Sequence, residues 1–256
     1  MNLALTFLGT GTSQGIPVIG SDHPVCKSRD PRDQRLRSSV LLTWPKGKLI
    51  IDCGPDFRQQ LLRNPIERLD AVLITHEHAD HTMGLDDIRP FFFKQGDIHF
   101  YATSRVFSAL AKRFDYIFDQ SFSYPGIPEI TEHIIHKNQP FQVNDLSILP
   151  VEVDHAGMPV TGFRFGDLAY VTDIKTISKE QMSLLMNCKV LVINALREEP
   201  HHSHLSLNEA IELSRALNAE STYFTHISHT LGFHEEVQRR LPKNMYLAYD
   251  QLTITL

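Results

Sequence analysis

No apolar run in the 256-residue sequence approaches the roughly 18 residues that a membrane-crossing helix needs, so no membrane role is expected. No basic run is present either, and the net charge is −5, which sets the chain against nonspecific binding of nucleic acid. Cysteine is scarce. Cys26, Cys53 and Cys188 are an odd number in a long chain, which argues against a disulfide framework and fits a reducing compartment. The first ten residues, MNLALTFLGT, lack the positive charge and small-residue cleavage site of a secretion signal; they read as a first strand, and the expected location is cytoplasmic. Glycine and proline are dispersed, with no heptad pattern, Gly/Ser linker or internal repeat, so one domain over 1–256 is the economical organisation. Against these shortages stand fourteen histidines.

Strand-type runs recur at 3–8, 38–43, 49–52, 71–75, 98–101, 146–151, 162–165, 168–172, 190–194, 221–225 and 252–255. Helical periodicity is clearest at 206–217, where Leu207, Ala210, Ile211, Ser214 and Leu217 share a face; 56–63, 105–114, 179–186 and 235–241 follow it. Helices that punctuate groups of strands without strict alternation predict an α/β (α+β) fold, with sheets face to face and helices outside. The tract 114–142, rich in aromatics, proline and histidine and without clear periodicity, reads as an insertion or lid over one edge.

The densest chemistry lies in Val72-Leu73-Ile74-Thr75-His76-Glu77-His78-Ala79-Asp80-His81, an apolar strand ending in three imidazoles and a carboxylate. In extended backbone, residues i and i+2 project to one side, so His76 and His78 can grip one cation while Asp80 and His81 reach a second. Imidazole and carboxylate without thiolate suit zinc, manganese or iron alike. The plainer interpretation is a polar loop whose histidines face water. Three further residues count against it: His155, Asp173 and His226 each stand directly after an apolar run, where a strand end presents ligands to a crevice. Taken singly, such an Asp is a turn former or helix cap and such a His a surface residue.

In order along the chain, Thr75-His76-Glu77-His78-Ala79-Asp80-His81, His155, Asp173 and His226 resemble the HxHxDH…His…Asp…His pattern of the metallo-β-lactamase superfamily. The segments 7–17 (FLGTGTSQGIP), 51–58 (IDCGPDFR) and 224–229 (FTHISH) are similar to the branch that contains phosphoribosyl 1,2-cyclic phosphate phosphodiesterase. The resemblance spans nearly the whole chain. It implies an αββα sandwich of two mixed sheets and two divalent ions, zinc or manganese. By the same analogy His76, His78 and His155 hold one ion, Asp80, His81 and His226 the other, and Asp173 bridges them.

Such a pair lowers the pKa of a shared water and binds the oxygens of a phosphodiester. Asp80 is then placed to orient the hydroxide or take its proton. For the leaving group the resemblance selects His204, in His201-His202-Ser203-His204 just before the 206–217 helix, as general acid and substrate contact; its plainer role is to flank the helix cap. Arg197 is a candidate for bidentate binding of a substrate phosphate, or a surface ion pair. Gly9-Thr10-Gly11-Thr12-Ser13-Gln14-Gly15 lacks dinucleotide-site spacing, so no nucleotide cofactor is expected. Gly54-Pro55-Asp56 reads either as turn and cap chemistry or as a substrate contact.

One departure from the family concerns a structural zinc that relatives build from three cysteines and the second histidine of a THxSH motif. Here His23, Cys26 and His229 remain, with Ser21 where a thiolate would stand, one ligand short of a closed site. The expected activity is that of a metal-dependent phosphodiesterase acting on a small cyclic ribose phosphodiester, with a small molecule as its partner rather than nucleic acid. The alternatives are a tRNA 3′-processing nuclease like ribonuclease Z, whose RNA-gripping arm and basic surface the sequence does not show, and a non-catalytic metal-binding scaffold or sensor. Whether the chain acts alone or as a homodimer the sequence leaves open.

Overall fold

A computed structural model describes residues 2–119, 121 and 125–256. Its strands are β1 (Ala4–Gly9), β2 (Ser39–Trp44), β3 (Gly47–Ile51), β4 (Ala71–Leu73), β5 (Ile98–Ala102), β6 (Ile130–Ile134), β7 (Phe141–Val143), β8 (Leu146–His155), β9 (Met158–Phe165), β10 (Leu168–Val171), β11 (Val190–Asn194), β12 (Ser221–Thr225), β13 (Met245–Leu247) and β14 (Thr253–Thr255). Between them run α1 (Phe57–Arg63), α2 (Ala79–Thr82), α3 (Arg89–Gln95), α4 (Ser104–Arg113), α5 (Asp115–Phe118), α6 (Lys179–Leu185), α7 (Leu207–Ala216) and α8 (His234–Arg240).

The strands form two seven-stranded sheets, ordered 14-1-2-3-4-5-6 and 13-12-11-10-9-8-7. The pairings 14-1, 1-2 and 2-3 are antiparallel and 3-4, 4-5 and 5-6 parallel. In the second sheet 7-8, 8-9 and 9-10 are antiparallel and 10-11, 11-12 and 12-13 parallel. Parallel strands are covered on both faces, which is why their sequences are continuously apolar. Leu49, Ile51, Ala71 and Leu73 point into the layer between the sheets, against Ile148, Phe163, Tyr170 and Val192. Their neighbours Ile50, Val72 and Ile74 point the other way, onto Phe57, Phe91 and Leu110 of α1, α3 and α4. A third cluster packs Leu185, Leu207, Ala210 and Val237 of α6, α7 and α8 on the second sheet. The result is the expected αββα sandwich.

The tract expected as an insertion or lid, 114–142, contains α5 and β6 and runs into β7, the last two being an edge strand of each sheet. Residues 120 and 122–124 of that tract lie outside the described residues. β6 escapes a pattern search because, at the edge, none of its five residues is fully buried and its apolar alternation is lost. β13, three residues long, is too short for any period. Among the described residues no helix is long and apolar enough to cross a membrane.

Candidate metal centre

The parallel strands end on a common edge, and the polar residues just beyond them converge there. β4 runs out at Leu73; the next segment delivers His76 and His78, and the single turn of α2 delivers Asp80 and His81. His155 closes β8, Asp173 follows β10 and His226 follows β12. Asp52, Asp173 and His226, each just past a strand, have left-handed backbones, with φ of 65°, 55° and 56°. That conformation is uncommon for residues other than glycine. It turns each side chain off the sheet axis into the crevice.

Donor atoms of three groups lie within 4.8 Å of one another: His76, His81 and Asp173; Asp80, His81 and His226; His155, Asp173 and His204. His76 Nε2 is 2.9 Å from His78 Nδ1, and the His155 ring is 5.3 Å from that of His78. Asp173 sits between, its Oδ1 3.2 Å from His226 Nε2 and its Oδ2 3.4 Å from His81 Nε2. Asp80 Oδ2 is 3.3 Å from His81 Nε2.

Several rings are held from behind, which fixes the nitrogen left facing inward. His81 Nδ1 meets Asp52 Oδ2 at 2.7 Å, and Asp52 also accepts from the Thr75 amide and hydroxyl, each at 2.8 Å. His155 Nδ1 donates to Ser203 O at 2.7 Å, and Thr172 Oγ1 donates to Asp173 Oδ2 at 2.6 Å. Asp52 and Thr75 were not singled out from the sequence, although Asp52 ends an apolar run just as Asp173 does.

Burial and crowding set the electrostatics. Burial, with His81 beside it, drives the His76 imidazole well below its ordinary pKa, so its lone pair is free at neutral pH. Burial works to raise the carboxyls of Asp80 and Asp173, but the neighbouring imidazoles, His81 and His226 above all, outweigh it and hold both ionised. Burial likewise disfavours the charged His81 ring, yet Asp80, Asp173 and Asp52 raise its pKa well above 6.5. His204, lowered to about 4 chiefly by burial, keeps Nε2 3.0 Å from Asp173 Oδ1.

The donor set fits divalent ions on a local test. His81 Nε2 and both ring nitrogens of His226 are buried without a hydrogen-bond partner, beside two ionised carboxylates. Unpaired buried nitrogens of this kind are costly unless something inside the cluster satisfies them, and imidazole with carboxylate is a ligand set for zinc or manganese.

A family model described as the β-lactamase superfamily domain matches residues 48–227. The chain belongs to the metallo-β-lactamase superfamily. It is 39% identical to a solved structure described as a new diphosphatase from the PhnP family, with a TM-score of 0.93 over 100% of this chain and 98% of the other. An octanoyltransferase of Porphyromonas gingivalis is 38% identical over 96% of this chain, which spans about half of that protein's length. A ribonuclease Z of Bradyrhizobium diazoefficiens is 39% identical over 85 residues, 32% of this chain and 23% of the relative.

Other expected site residues of this superfamily member lie apart from the cluster or on its rim. Arg197, a candidate for binding substrate phosphate or for a surface ion pair, turns its guanidinium onto the carbonyls of Glu199 (3.3 Å) and Pro200 (3.1 Å). His201 and Ser203 pack on His204: His201 Nδ1 is 3.3 Å and Ser203 Oγ 3.0 Å from His204 Nδ1. At the would-be structural zinc site the rings of His23 and His229 do approach, at 5.0 Å between centroids. Among the described residues, however, His23, Cys26 and His229 form no triad of donors within 4.8 Å. Ser21 Oγ, in the thiolate position, accepts the His23 amide, and His23 Nδ1 accepts the Val25 amide.

Proposed function

We propose that this hydrolase opens a small cyclic ribose phosphodiester, with two divalent ions held by His76, His78, Asp80, His81, His155, Asp173 and His226. The observation that carries this reading is the pair of ionised carboxylates, Asp80 and Asp173, set against buried nitrogens of His81 and His226 that have no hydrogen-bond partner, a negatively charged cage in which a cation would take the place of the His81 proton. Two ions bound there supply a water of near-neutral pKa and offset the charge of a phosphoryl group.

The chain's own groups do the rest. Asp80, ionised and 13% exposed, is the inner carboxylate open enough to accept a hydrogen bond from the attacking water and orient it. A carboxylate oxygen only accepts, so the His204–Asp173 contact requires hydrogen on His204 Nε2, the side that faces the cluster. Nε2 thus faces the place of a leaving group, and for the ring, neutral with its pKa lowered to about 4, to give that proton to a leaving alkoxide it must first take up a second proton at Nδ1 when the anionic substrate binds. Arg197, which donates to the Glu199 and Pro200 carbonyls near His204, is the residue proposed to meet a substrate phosphate at the rim.

A second reading, hydrolysis of a diphosphate linkage, is favoured by the likeness to the PhnP-family diphosphatase over the full chain. The test is turnover by protein loaded with Mn²⁺ or Zn²⁺ on bis(p-nitrophenyl) phosphate, a cyclic ribose phosphodiester, a nucleoside diphosphate and a tRNA precursor. Preference for the cyclic diester supports the proposal, and preference for the diphosphate replaces it with the second reading. Cleavage of the tRNA precursor alone assigns a ribonuclease, and no turnover with both ions bound assigns a scaffold or sensor.

A further inference from the structure

Glu77 lies between two proposed ligands, His76 and His78. Its carboxylate is only 18% exposed, and Oε2 is buried without a hydrogen-bond partner. A carboxylate suits the same ions as the imidazoles on either side of it. What restrains it is α4. Arg105 Nη1 donates to Glu77 Oε1 while Nη2 donates to Pro159 O at 2.5 Å. Pro159 pairs with Asp154 in the β8–β9 hairpin, where His155 pairs with Met158. From the other end of α4, Arg113 Nη1 donates to Glu77 O and lies 3.3 Å from Thr82 Oγ1. Thr82 Oγ1 in turn donates to His78 O at 2.9 Å.

We propose that Arg105 holds the Glu77 carboxylate out of the metal coordination sphere, and that Arg105 and Arg113 together fix the 76–80 segment against the hairpin that carries His155. Both are positioning residues, and this inference rests on the metal reading above. A planar guanidinium engages the carboxylate and the Pro159 carbonyl with separate nitrogens at fixed spacing. A lysine at 105 offers a single point charge in place of that fork. Without the arginine, Glu77 carries an unpaired charge one residue from two ligands, and the nearest cations attract it.

The experiment uses the full chain with Co²⁺ in place of the native ions, because the intensity of the cobalt visible bands falls as oxygen donors raise its coordination number. Four proteins are compared: unaltered, Arg105→Ala, Glu77→Gln, and the double variant, with Arg105→Lys as a milder substitution should Arg105→Ala fold poorly. Arg105→Ala should weaken the bands and change cobalt affinity by ~10–100-fold, the range for groups that orient ligands. Glu77→Gln alone should leave the spectrum unchanged, and the double variant should restore it. A spectrum unmoved by Arg105→Ala and Arg105→Lys, or a double variant as altered as the single, overturns the proposal. Absence of any cobalt spectrum in the unaltered protein overturns the metal reading itself.

Discussion

Asp52 touches no substrate, yet it accepts from the Thr75 amide, the Thr75 hydroxyl and His81 Nδ1 with its backbone at φ 65°. Asn tolerates that φ better than Ala does, so the two replacements separate charge from shape. Asp52→Asn should remain folded but lose the anion that orients His81, weakening metal binding by ~10–100-fold in a chelator competition. Asp52→Ala should also lower the thermal midpoint, since two buried donors lose their acceptor. Unchanged metal affinity in both would remove Asp52 from the centre. At His204 the contrast is between acid and ligand, because its donor also lies within 4.8 Å of those of His155 and Asp173. His204→Ala should lower turnover by ~10²-fold with metal content, read by elemental analysis, unchanged; loss of an ion would make it a ligand instead.

At the scale of elements, the centre depends on how closely two turns approach. A Cβ on Gly54 would stand 1.9 Å from Asp80 O, and one on Gly84 2.1 Å from Gly54 O. Those contacts join the end of β3 to α2, where Cys53 N donates to His81 O at 2.9 Å. Gly54→Ala must push the Asp80–His81 turn outward. It should cost stability in the 1–3 kcal/mol range of overpacking and release metal, as followed by thermal melting with and without added Zn²⁺. An unchanged melting point in zinc would show that the turn gives way freely. The same geometry explains what could be seen beforehand. His76, Asp173 and His226 could be marked as candidates because each follows a continuous apolar run, the mark of a strand buried on both faces, His81 because it lies in the same dense segment as His76, and His155 because it ends a long alternating strand. Asp52 carried that mark without belonging to a ligand pattern. The partners of Glu77 were invisible, since Arg105 and Arg113 reach it from a helix 28 and 36 residues downstream. β6 and β13 were lost for want of burial and length, and Gly54 could be read as a turn but not as the floor under Asp80.

At the scale of the whole molecule, the chain closes where it leaves β13 in one sheet to add β14 to the other, and a polar node is buried at that crossing. Arg35 Nη1 donates to Ala248 O (2.6 Å) and Thr10 Oγ1 (2.8 Å), and Nη2 lies 3.1 Å from His234 Nδ1. Asp250 accepts from Thr10 Oγ1 at 2.7 Å and the Leu36 amide at 2.8 Å. Thr10 O in turn accepts the amide of Ile227, the residue after His226, so the node backs onto the centre. Burial raises the Asp250 carboxyl from 3.8 to about 6 and, with Arg35 adjacent, lowers His234 from 6.5 to about 4. The two act in opposite senses. The raised carboxyl contributes stability that is fully present below 3.8 and lost as pH rises through about 6; the depressed imidazole contributes stability present above 6.5 and lost as pH falls through about 4. Between those limits their slopes offset. Asp250→Asn removes the carboxyl and leaves the imidazole, so the variant's unfolding free energy should climb more steeply from pH 4 to 6 than that of the unaltered protein. The difference should total about 3 kcal/mol, because each tenfold change in a group's proton affinity is worth ~1.4 kcal/mol. Denaturant unfolding of both proteins at intervals across that range measures it directly, and parallel curves would mean that Asp250 titrates in the folded node as it does in the unfolded chain.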